Sequence, residues 1–514
     1  MTTHAPVAAP MADTGRLSGG LNAQAARLLF GETADADLDS ELPFITVVDQ
    51  AHLVMLAERD LIRRDQAARL LAEIGALRAN GFAPLRGRQA PRGVYTLYES
   101  HLIDELGRDV GGVLHTGRSR NDLKATVHQL RLREPVTRLL SALLRLQGVL
   151  LGRARAHDAT VMPAYSQYQP AVPSTYGHYL LGVATSLERD ISGVLQACSG
   201  LRECPLGAAG GGGTDVPVDP ARTARLLGFT EPVRHAGFAI ASRDTMTRLL
   251  SAGALAGLTL SRLATDLQLW STQEFGLVGF PDHLVGASSA MPQKRNPFLL
   301  EHIKGGSGAL IGALTTVLAN TKNTPFGNSV EVSTEGVAPV WAALDRLEDI
   351  TRLATWVVAG ARPCEEAMTR SADRGFTVAT AFANRLVAQG VPFRAAHYAV
   401  GRLITELTAE GAATLTEVPE DRLGASLRRI LRDQGVRTEP TVRTADLDPG
   451  TVAALTEFGG GPGPESFRTA HRRLTESWRG HVRTGRAWRE SLRAADRERH
   501  RAVHDLISGA DGRR

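Results

Sequence analysis

The sequence predicts an all-α protein built around a central bundle of long helices. Apolar residues recur at helical spacing along most of the 514 residues, whereas strand patterns are few and short. Segment 242–272 carries leucines around nearly its whole circumference, and a helix that is apolar all round is buried. At about 1.5 Å per residue it would span some 45 Å, as in the core of a long bundle.

Start and stop signals place the other helices. Asp65 is a candidate N-cap for a helix that Asn80-Gly81 would end, and Pro135 is suited to the first turn of another. Segment 242–272 is expected to be the longest helix. Further helices are predicted at 136–157, 174–200, 298–321, 338–361, 364–388 and 394–411.

Changes in composition near residues 118 and 372 suggest domain boundaries. We expect a disordered N-terminus at 1–20, an N-terminal helical domain at 21–117, a central long-helix bundle at 118–372, and a small helical C-terminal domain with a basic tail helix at 373–514. In the tail, acidic residues recur at helical spacing from the arginines. This pattern favours a solvated helix held by ion pairs over a nucleic-acid-binding surface.

Composition excludes several classes of protein. Hydrophobic residues make up 43% of the chain and charged residues 22%, with a net charge of +5, which is typical of a soluble globular protein. Cys198, Cys204 and Cys364 form neither a disulfide framework nor a ligand cluster, so we expect a reducing, cytoplasmic location. No stretch approaches the roughly 20 apolar residues of a membrane-spanning helix, and we find no signal-peptide pattern.

Two polar segments lie just before predicted helices. In "GGVLHTGRSRND", Ser119, Arg120 and Asn121 precede free backbone N–H groups that favour an anion, and Arg120 adds a fork suited to a carboxylate. An N-cap beside a surface arginine would explain this segment equally well. In "MPAYSQYQPAVPSTYGHYL", Ser166 and Gln167 carry a weaker signal that capping would also explain.

Two further segments are rich in glycine or small residues. "CPLGAAGGGGTDVPVD" lacks the Gly-Lys-Ser/Thr ending of a phosphate loop and a preceding strand, so it predicts a tight or mobile loop beside a site. "GASSAMPQKRNP" places Ser288 near Lys294 and Asn296. A serine acts as a base only if its alkoxide is stabilised, which a cation and loop N–H groups would do. The alternative is a surface loop with a solvated Lys-Arg pair.

The combination of segments resembles a known family. "GASSAMPQKRNP" resembles the signature of the fumarase/aspartase superfamily, and "LHTGRSRND" is similar to the argininosuccinate lyase branch. Supporting matches, in family order, are "GHYLL", "PLGAAGGGGTDVPVD", "LATDLQLWSTQEFGLV" and "FGGGPGPESF". The resemblance implies three mostly helical domains and a homotetramer around a core of about 20 helices from four copies. It also implies active sites shared between subunits, release of fumarate by β-elimination, and no metal or organic cofactor.

The resemblance also implies residue roles. Ser288 would be the base that removes the C3 proton of a succinyl group, while Lys294 and Asn296 would stabilise the doubly charged carboxylate of the resulting aci-carboxylate. Glu301 corresponds to the acid that pairs with the family's catalytic histidine. The predicted substrate-binding residues are Ser119, Arg120, Asn121, Ser166, Gln167, Ser289, Asn328 and Ser333.

The departures from the family concern the leaving group. Gln167 replaces the family's histidine and cannot shuttle a proton near neutral pH. Asn328, Ser333 and Gly336 replace a Tyr, a Gln and a Lys, and an unpaired buried carboxylate costs several kcal/mol, so we expect argininosuccinate to bind badly. The sequence therefore predicts a related lyase that acts on a different N-substituted aspartate. The alternatives are argininosuccinate lyase itself and a non-catalytic tetrameric scaffold.

Overall fold

A computed structural model describes residues 21–511 of the chain, with side chains described as far as residue 509. The predicted disordered segment at 1–20 lies outside the described residues. In chain order the α-helices are α1 (Ala23–Phe30), α2 (Asp35–Ser40), α3 (Leu42–Glu58), α4 (Arg64–Ala79), α5 (Val94–Leu106), α6 (Arg108–Gly111), α7 (Arg120–Ala156), α8 (Tyr176–Ala197), α9 (Pro220–Leu226), α10 (Ala236–Ala241), α11 (Asp244–Trp270), α12 (Phe298–Thr321), α13 (Ala338–Gly360), α14 (Glu365–Asp373), α15 (Ala379–Ala388), α16 (Phe393–Ala409), α17 (Glu420–Asp433), α18 (Pro449–Leu455) and α19 (Pro464–Asp511).

The strands of the described chain form two-stranded antiparallel sheets. The strands are β1 (Val161–Ser166), β2 (Gln169–Thr175), β3 (Val278–Gly279), β4 (Gly286–Ala287), β5 (Arg295–Asn296) and β6 (Arg362–Pro363). They pair as β1 with β2, β3 with β6, and β4 with β5. Because helices form the framework and the strands only close loops, the predicted all-α fold class is confirmed.

The central bundle consists of α7, α8, α11, α12 and α13, which pack side by side around one large apolar cluster. A second apolar cluster joins α3, α4 and α5 to the first half of α7. A third cluster lies among α15, α16 and α17. The predicted long central bundle is therefore present, while the domain boundaries remain a prediction. No helix in the described part of the chain is long and apolar enough to cross a membrane.

The prediction that a helix starts next to Pro135 is wrong. Helix α7 begins at Arg120 and continues through Pro135 to Ala156, a length of 37 residues. A proline inside a helix costs about 3 kcal/mol because one hydrogen bond is lost. Fully buried side chains on both sides of it, among them Leu132, Val136 and Leu139, offset that cost.

Helix α19, with 48 residues, is longer than the predicted longest helix, which corresponds to the 27 residues of α11. It contributes Phe467 and Leu474 to the central cluster, and Trp478 Nε1 donates a hydrogen bond to the carbonyl of Leu144 (2.9 Å). Further along, Arg499 Nε donates to Gln50 Oε1 in α3 (3.2 Å). The basic C-terminal helix therefore packs one face against both clusters.

Two other predicted helices differ from the observed ones for local reasons. Helix α4 starts at Arg64, where the Arg63 N–H donates to Gln66 Oε1 (3.0 Å), so Asp65 lies in the first turn and is not the N-cap. The helix predicted at 364–388 is two helices, α14 and α15, because Gly375 between them has a φ of 72°. A left-handed backbone at this glycine interrupts the helix.

Candidate active site

The segment before α7 is fixed by buried polar contacts. Arg118 Nη2 lies 2.6 Å from Asp49 Oδ1, and both side chains are completely buried. His52 Nε2 lies 2.8 Å from the Thr116 carbonyl oxygen, and the Tyr95 hydroxyl is 2.8 Å from His115 Nδ1. Burial lowers the pKa of His52 well below its ordinary value and that of His115 to about 4. These contacts hold "HTGRSRND" rigidly against the N-terminal helices.

Asp122 holds the glycine-rich loop against the N-terminus of α7. Its carboxylate accepts hydrogen bonds from the backbone N–H groups of Ser119 (3.0 Å), Gly207 (3.0 Å) and Ala209 (2.9 Å). Gly207 has a φ of 108°, and a Cβ there would lie 2.9 Å from Pro220. This loop is thus a tight turn held beside the N-terminus of α7.

The predicted binding residues at the start of α7 have different partners. Ser119 is the N-cap, and its Oγ accepts the N–H of Asn121 (3.2 Å). Arg120 is exposed, and its Nη1 donates to Thr96 Oγ1 (3.0 Å) and to a backbone carbonyl. Asn121 Oδ1 accepts a hydrogen bond from Asn328 Nδ2 (3.0 Å). The structure therefore brings together two predicted site residues that are far apart in sequence.

Segment 322–336 contains a single π-helical turn, Glu331–Glu335. Ser333 is buried, and its N–H donates to the Ser329 carbonyl (2.9 Å). A Cβ at Gly336 would lie 2.6 Å from the Glu331 carbonyl oxygen and 2.8 Å from the Thr321 methyl group. Because the first contact is with backbone, this turn has no room for a side chain at position 336.

Lys124 lies beside these predicted site residues, and the sequence analysis did not single it out. Its Nζ donates a hydrogen bond to Thr334 Oγ1 in the π-turn (2.8 Å). It lies three residues after Asn121, so both side chains share one face of α7. A signal was available, because the chain contains only four lysines and this one lies two residues after "GRSRND".

Ser288 lies in a short hairpin loop. Gly286 pairs with Asn296, and Ala287 with Arg295, so the ends of the loop are held together by β4 and β5. Ser288 Oγ accepts hydrogen bonds from the backbone N–H groups of Met291 (3.1 Å) and Ala290 (3.4 Å). Backbone N–H groups that converge on this oxygen would stabilise an alkoxide.

The two adjacent cations of this loop differ in their contacts. Arg295 Nη1 lies 2.6 Å from Asp282 Oδ1, and its Nη2 donates to the Phe280 carbonyl (2.9 Å), so this arginine anchors the loop. The hydrogen bond with Arg295 lowers the pKa of Asp282. Lys294 is exposed, and its ammonium has no hydrogen bond or ion pair with any described residue. Lys294 is therefore free to meet a ligand.

The remaining predicted site residues lie around this loop or on another hairpin. Ser289 is exposed, Asn296 is half-buried, and Glu301 in the first turn of α12 accepts a hydrogen bond from Gln268 Nε2 (3.2 Å). Ser166 and Gln167 are exposed at the tip of the β1–β2 hairpin, where Gln167 has a φ of 52°. They do not directly precede α8 as expected, because β2 lies between them and that helix.

The described chain keeps these groups apart. No hydrogen bond or ion pair between described residues joins the Ser288 loop, the tip of the β1–β2 hairpin and the Asn121–Asn328 pair. Burial raises the pKa of Cys198 and of Cys204 to about 12, so neither is suited to act as a thiolate nucleophile. Among residues 21–511, no group of three or more His, Cys, Asp or Glu side chains could hold a metal ion.

Fold and site together define a lyase of the fumarase/aspartase superfamily. A "Lyase" family model matches residues 87–312, and an "Argininosuccinate lyase C-terminal" model matches 376–436. The chain is 33% identical to argininosuccinate lyase of Methanosarcina barkeri, over 82% of this chain and 84% of that one. It is 36% identical to argininosuccinate lyase of Haloarcula marismortui, over 82% of each chain. The chain belongs to the argininosuccinate lyase family.

Solved structures agree with this assignment. EDDS lyase in complex with formate is 26% identical, with a TM-score of 0.85 over 97% of this chain and 98% of that one. A variant of EDDS lyase with bound fumarate is 25% identical, with the same TM-score and coverage. Class II fumarase of Schistosoma mansoni shares the fold, with a TM-score of 0.65 at 15% identity over 84% of this chain and 96% of that one. The protein is a fumarate-releasing carbon–nitrogen lyase.

Proposed function

We propose that this enzyme releases fumarate from an N-substituted aspartate other than argininosuccinate, with Ser288 as the base. The observation that carries the substrate proposal is the π-turn, which leaves no room for a side chain at Gly336. The family has a lysine there that meets a carboxylate of argininosuccinate. In addition, Asn328 and Ser333 replace two larger polar residues of the same segment. The pocket for the leaving group is therefore rebuilt.

The proposed reaction begins at Ser288. Its oxygen, stabilised by the N–H groups of Ala290 and Met291, removes the proton from C3 of the succinyl group. The electron pair moves into the adjacent carboxylate, whose second negative charge is stabilised by Lys294 and Asn296. When the C2–N bond breaks, the electrons return to form the C2–C3 double bond of fumarate, and the amine leaves with the nitrogen lone pair.

The proton that the leaving amine needs must come from a source other than Gln167. An amide side chain has no proton to transfer near neutral pH. Glu301 does not supply this proton through Gln167 either, because the hydrogen-bond partner of Glu301 among the described residues is Gln268. We propose that the leaving amine takes its proton from solvent.

We further propose that the site is completed by other copies of the chain in a homotetramer. The Ser288 loop, the hairpin tip and the Asn121–Asn328 pair do not meet within one described chain. The bundle helices α11, α12 and α13 also leave large apolar side chains exposed, including Leu255 (59%), Ile311 (54%) and Trp356 (57%). Exposed apolar patches of this kind favour association with other subunits.

A second candidate is argininosuccinate lyase itself. The specific observation in its favour is the 33–36% identity to several argininosuccinate lyases over most of their length. Under this alternative, Gln167 and Gly336 would be tolerated substitutions. We also propose a cytoplasmic location, in keeping with cysteines that are all unpaired in the described structure.

The test follows fumarate by its ultraviolet absorbance. Purified protein is offered argininosuccinate, adenylosuccinate, aspartate and a panel of N-substituted aspartates, and in parallel fumarate with varied amines. Release of fumarate from an N-substituted aspartate, with little from argininosuccinate, is the expected result. An ordinary enzymatic rate with argininosuccinate would favour the second candidate. Failure of every substrate, with a well-folded protein, would contradict both and favour a scaffold.

A further inference from the structure

The outer face of the C-terminal helix α19 carries a charge pattern that recurs. Four charged residues, in the order Arg, Glu, Arg, Arg, return after fourteen positions, which is close to four turns of an α-helix. We call the six arginines of this pattern the arginine stripe. The residues of the pattern are Arg472, Glu476, Arg479 and Arg483, followed by Arg486, Glu490, Arg493 and Arg497.

The arginine stripe lies on one side of the helix. At 3.6 residues per turn, its members fall within about 80° of the circumference and extend over about 37 Å along the axis. All six arginines are exposed. The opposite side carries Phe467 and Leu474, which are buried in the central cluster. The stripe therefore points away from the body of the protein.

The arginine stripe has no acidic partner among the described residues. None of its guanidinium groups makes a hydrogen bond or an ion pair there, and neither do the carboxylates of Glu476 and Glu490. Glu465 pairs with Arg468 (2.8 Å) before the stripe begins, and Glu498 pairs with Arg222 of α9. Even if both of its glutamates were paired, the stripe would keep an excess of four positive charges.

The stability of α19 does not explain this pattern. Arg479, Arg483 and Arg486 follow one another at spacings of four and three residues, and like charges at these spacings destabilise a helix slightly. The helix is held instead by its buried side, where Trp478 Nε1 donates to the Leu144 carbonyl (2.9 Å). Because the arginines weaken the helix that carries them, their regular placement favours a binding surface.

The composition of this face discriminates between candidate partners. None of the large apolar side chains of α19 is exposed in the described chain, so the helix offers nothing to insert into a membrane or to stack on unpaired bases. Glu476 and Glu490 lie within the stripe, where they would face the phosphates of a duplex and oppose its binding. A second copy of α19 would bring arginines against arginines. An acidic helix fits, because its charges recur with the same pitch.

We infer that the arginine stripe is a docking surface for an acidic helix of another protein, with arginine–carboxylate pairs along its length and a basic residue of the partner opposite each glutamate. The inference does not depend on the proposed substrate. Docking there leaves α11, α12 and α13 free for the proposed tetramer, since α19 packs against α7 and α8. Exposed ion pairs are weak and are screened by salt, so the complex should be transient.

The test measures the binding of labelled helical peptides to the full-length protein by fluorescence anisotropy. A matched peptide carries Glu at the spacing of the arginine stripe and Lys at the spacing of its two glutamates, in forward and in reversed order for parallel and antiparallel docking. A scrambled peptide has the same composition with the charges spread around the helix. We expect one matched peptide to bind about tenfold more tightly than the scrambled one, and about 200 mM salt to weaken that binding strongly.

Matched variants test whether the stripe is the surface that binds. Arg483→Gln/Arg486→Gln removes two of its charges and should weaken binding of the matched peptide by about 3- to 30-fold. Arg473 and Arg489 are exposed on the same helix but lie outside the stripe. Arg473→Gln/Arg489→Gln removes an equal charge and should change the binding by less than about twofold. Fumarate release and thermal unfolding should be the same for both double variants.

Three results would overturn the inference. Equal binding of the matched and scrambled peptides would mean that net charge and not the pattern is recognised. Equal losses in the two double variants would place the binding elsewhere. The third result concerns nucleic acid: a duplex of about 20 base pairs that binds more tightly than the peptide, and more tightly still after Glu490→Arg, would make the stripe a phosphate-binding surface. For an acidic helix, Glu490→Arg should instead weaken the matched peptide, because it places two cations opposite each other.

Discussion

Two parts of the proposed site are built in opposite ways. The start of α7 is held by the buried Arg118–Asp49 ion pair and by Asp122, which accepts hydrogen bonds from two separate segments. The Ser288 loop is largely exposed and is anchored by two short strands and the Arg295–Asp282 pair, whose side chains are 55% and 92% exposed. The proposed binding groups therefore sit on a firmly held helix start, while the proposed base sits on an exposed loop with fewer anchors.

The largest effect is expected from Ser288→Ala. Removing a general base lowers turnover by about 10²–10⁴-fold, and the side chain contributes only two hydrogen bonds within an exposed loop, so the fold should remain intact. Fumarate release measures the activity, and circular dichroism measures the fold. Turnover at the wild-type level would remove Ser288 from the mechanism.

In the segment before α7, Arg118→Met should lower the free energy of unfolding by about 3–5 kcal/mol, because Asp49 is left buried without its partner. Urea unfolding provides the measurement. The double variant Arg118→Met/Asp49→Leu should regain much of the loss, since no buried charge remains. If the single and double variants are equally unstable, packing and not charge explains the effect.

A substitution at the tip of the β1–β2 hairpin should hardly change the activity with argininosuccinate. Gln167→His supplies a group that can transfer a proton, but the turn at Gly336 still excludes the family's lysine. We expect a gain of less than about tenfold in kcat/KM with argininosuccinate, against the 10²–10⁴-fold that general acid–base catalysis supplies in a complete site. A gain near the upper value would show that the pocket argument is wrong.

The contacts of His115 before α7 should also make the stability of the fold depend on pH. His115 has a folded pKa of about 4 against an ordinary value of 6.5, so the unfolded chain binds more protons between these limits. Stability should therefore fall as pH is lowered from 6.5 to 4, by about 1 kcal/mol for this partly exposed group after solvent screening. Unfolding midpoints for the wild type and His115→Gln measure this, and the variant should have the shallower dependence.

The smallest effect on stability is expected from Arg295→Ala. An exposed ion pair contributes about 0–1 kcal/mol, so the unfolding midpoint should hardly change. Hydrogen exchange of the amides between Ser288 and Lys294 should nevertheless become faster, because the loop loses its anchor. Unchanged exchange would mean that the two short strands alone hold the loop.

The long helices could be predicted from sequence because helical periodicity persists over many residues. The β1–β2 hairpin could not, since its strands contain Pro163, Pro170 and Pro173, which argue against strands unless both are at an edge. The resemblance predicted Asn121 and Asn328 as site residues, and the structure adds their direct contact. The contact of Lys124 with Thr334 could not be predicted, because the two residues lie 210 positions apart along the chain.

The crowding around Gly336 limits how this enzyme could change its specificity. A single codon change at that position would place a side chain against the Glu331 carbonyl oxygen, so it would disturb the π-turn before any new contact with a substrate could form. Restoring a lysine there requires remodelling of the backbone between Ser329 and Gly336 first. A single substitution at position 336 is therefore not expected to give a pocket with a lysine there, and laboratory evolution would need insertions, deletions or coupled changes in this turn.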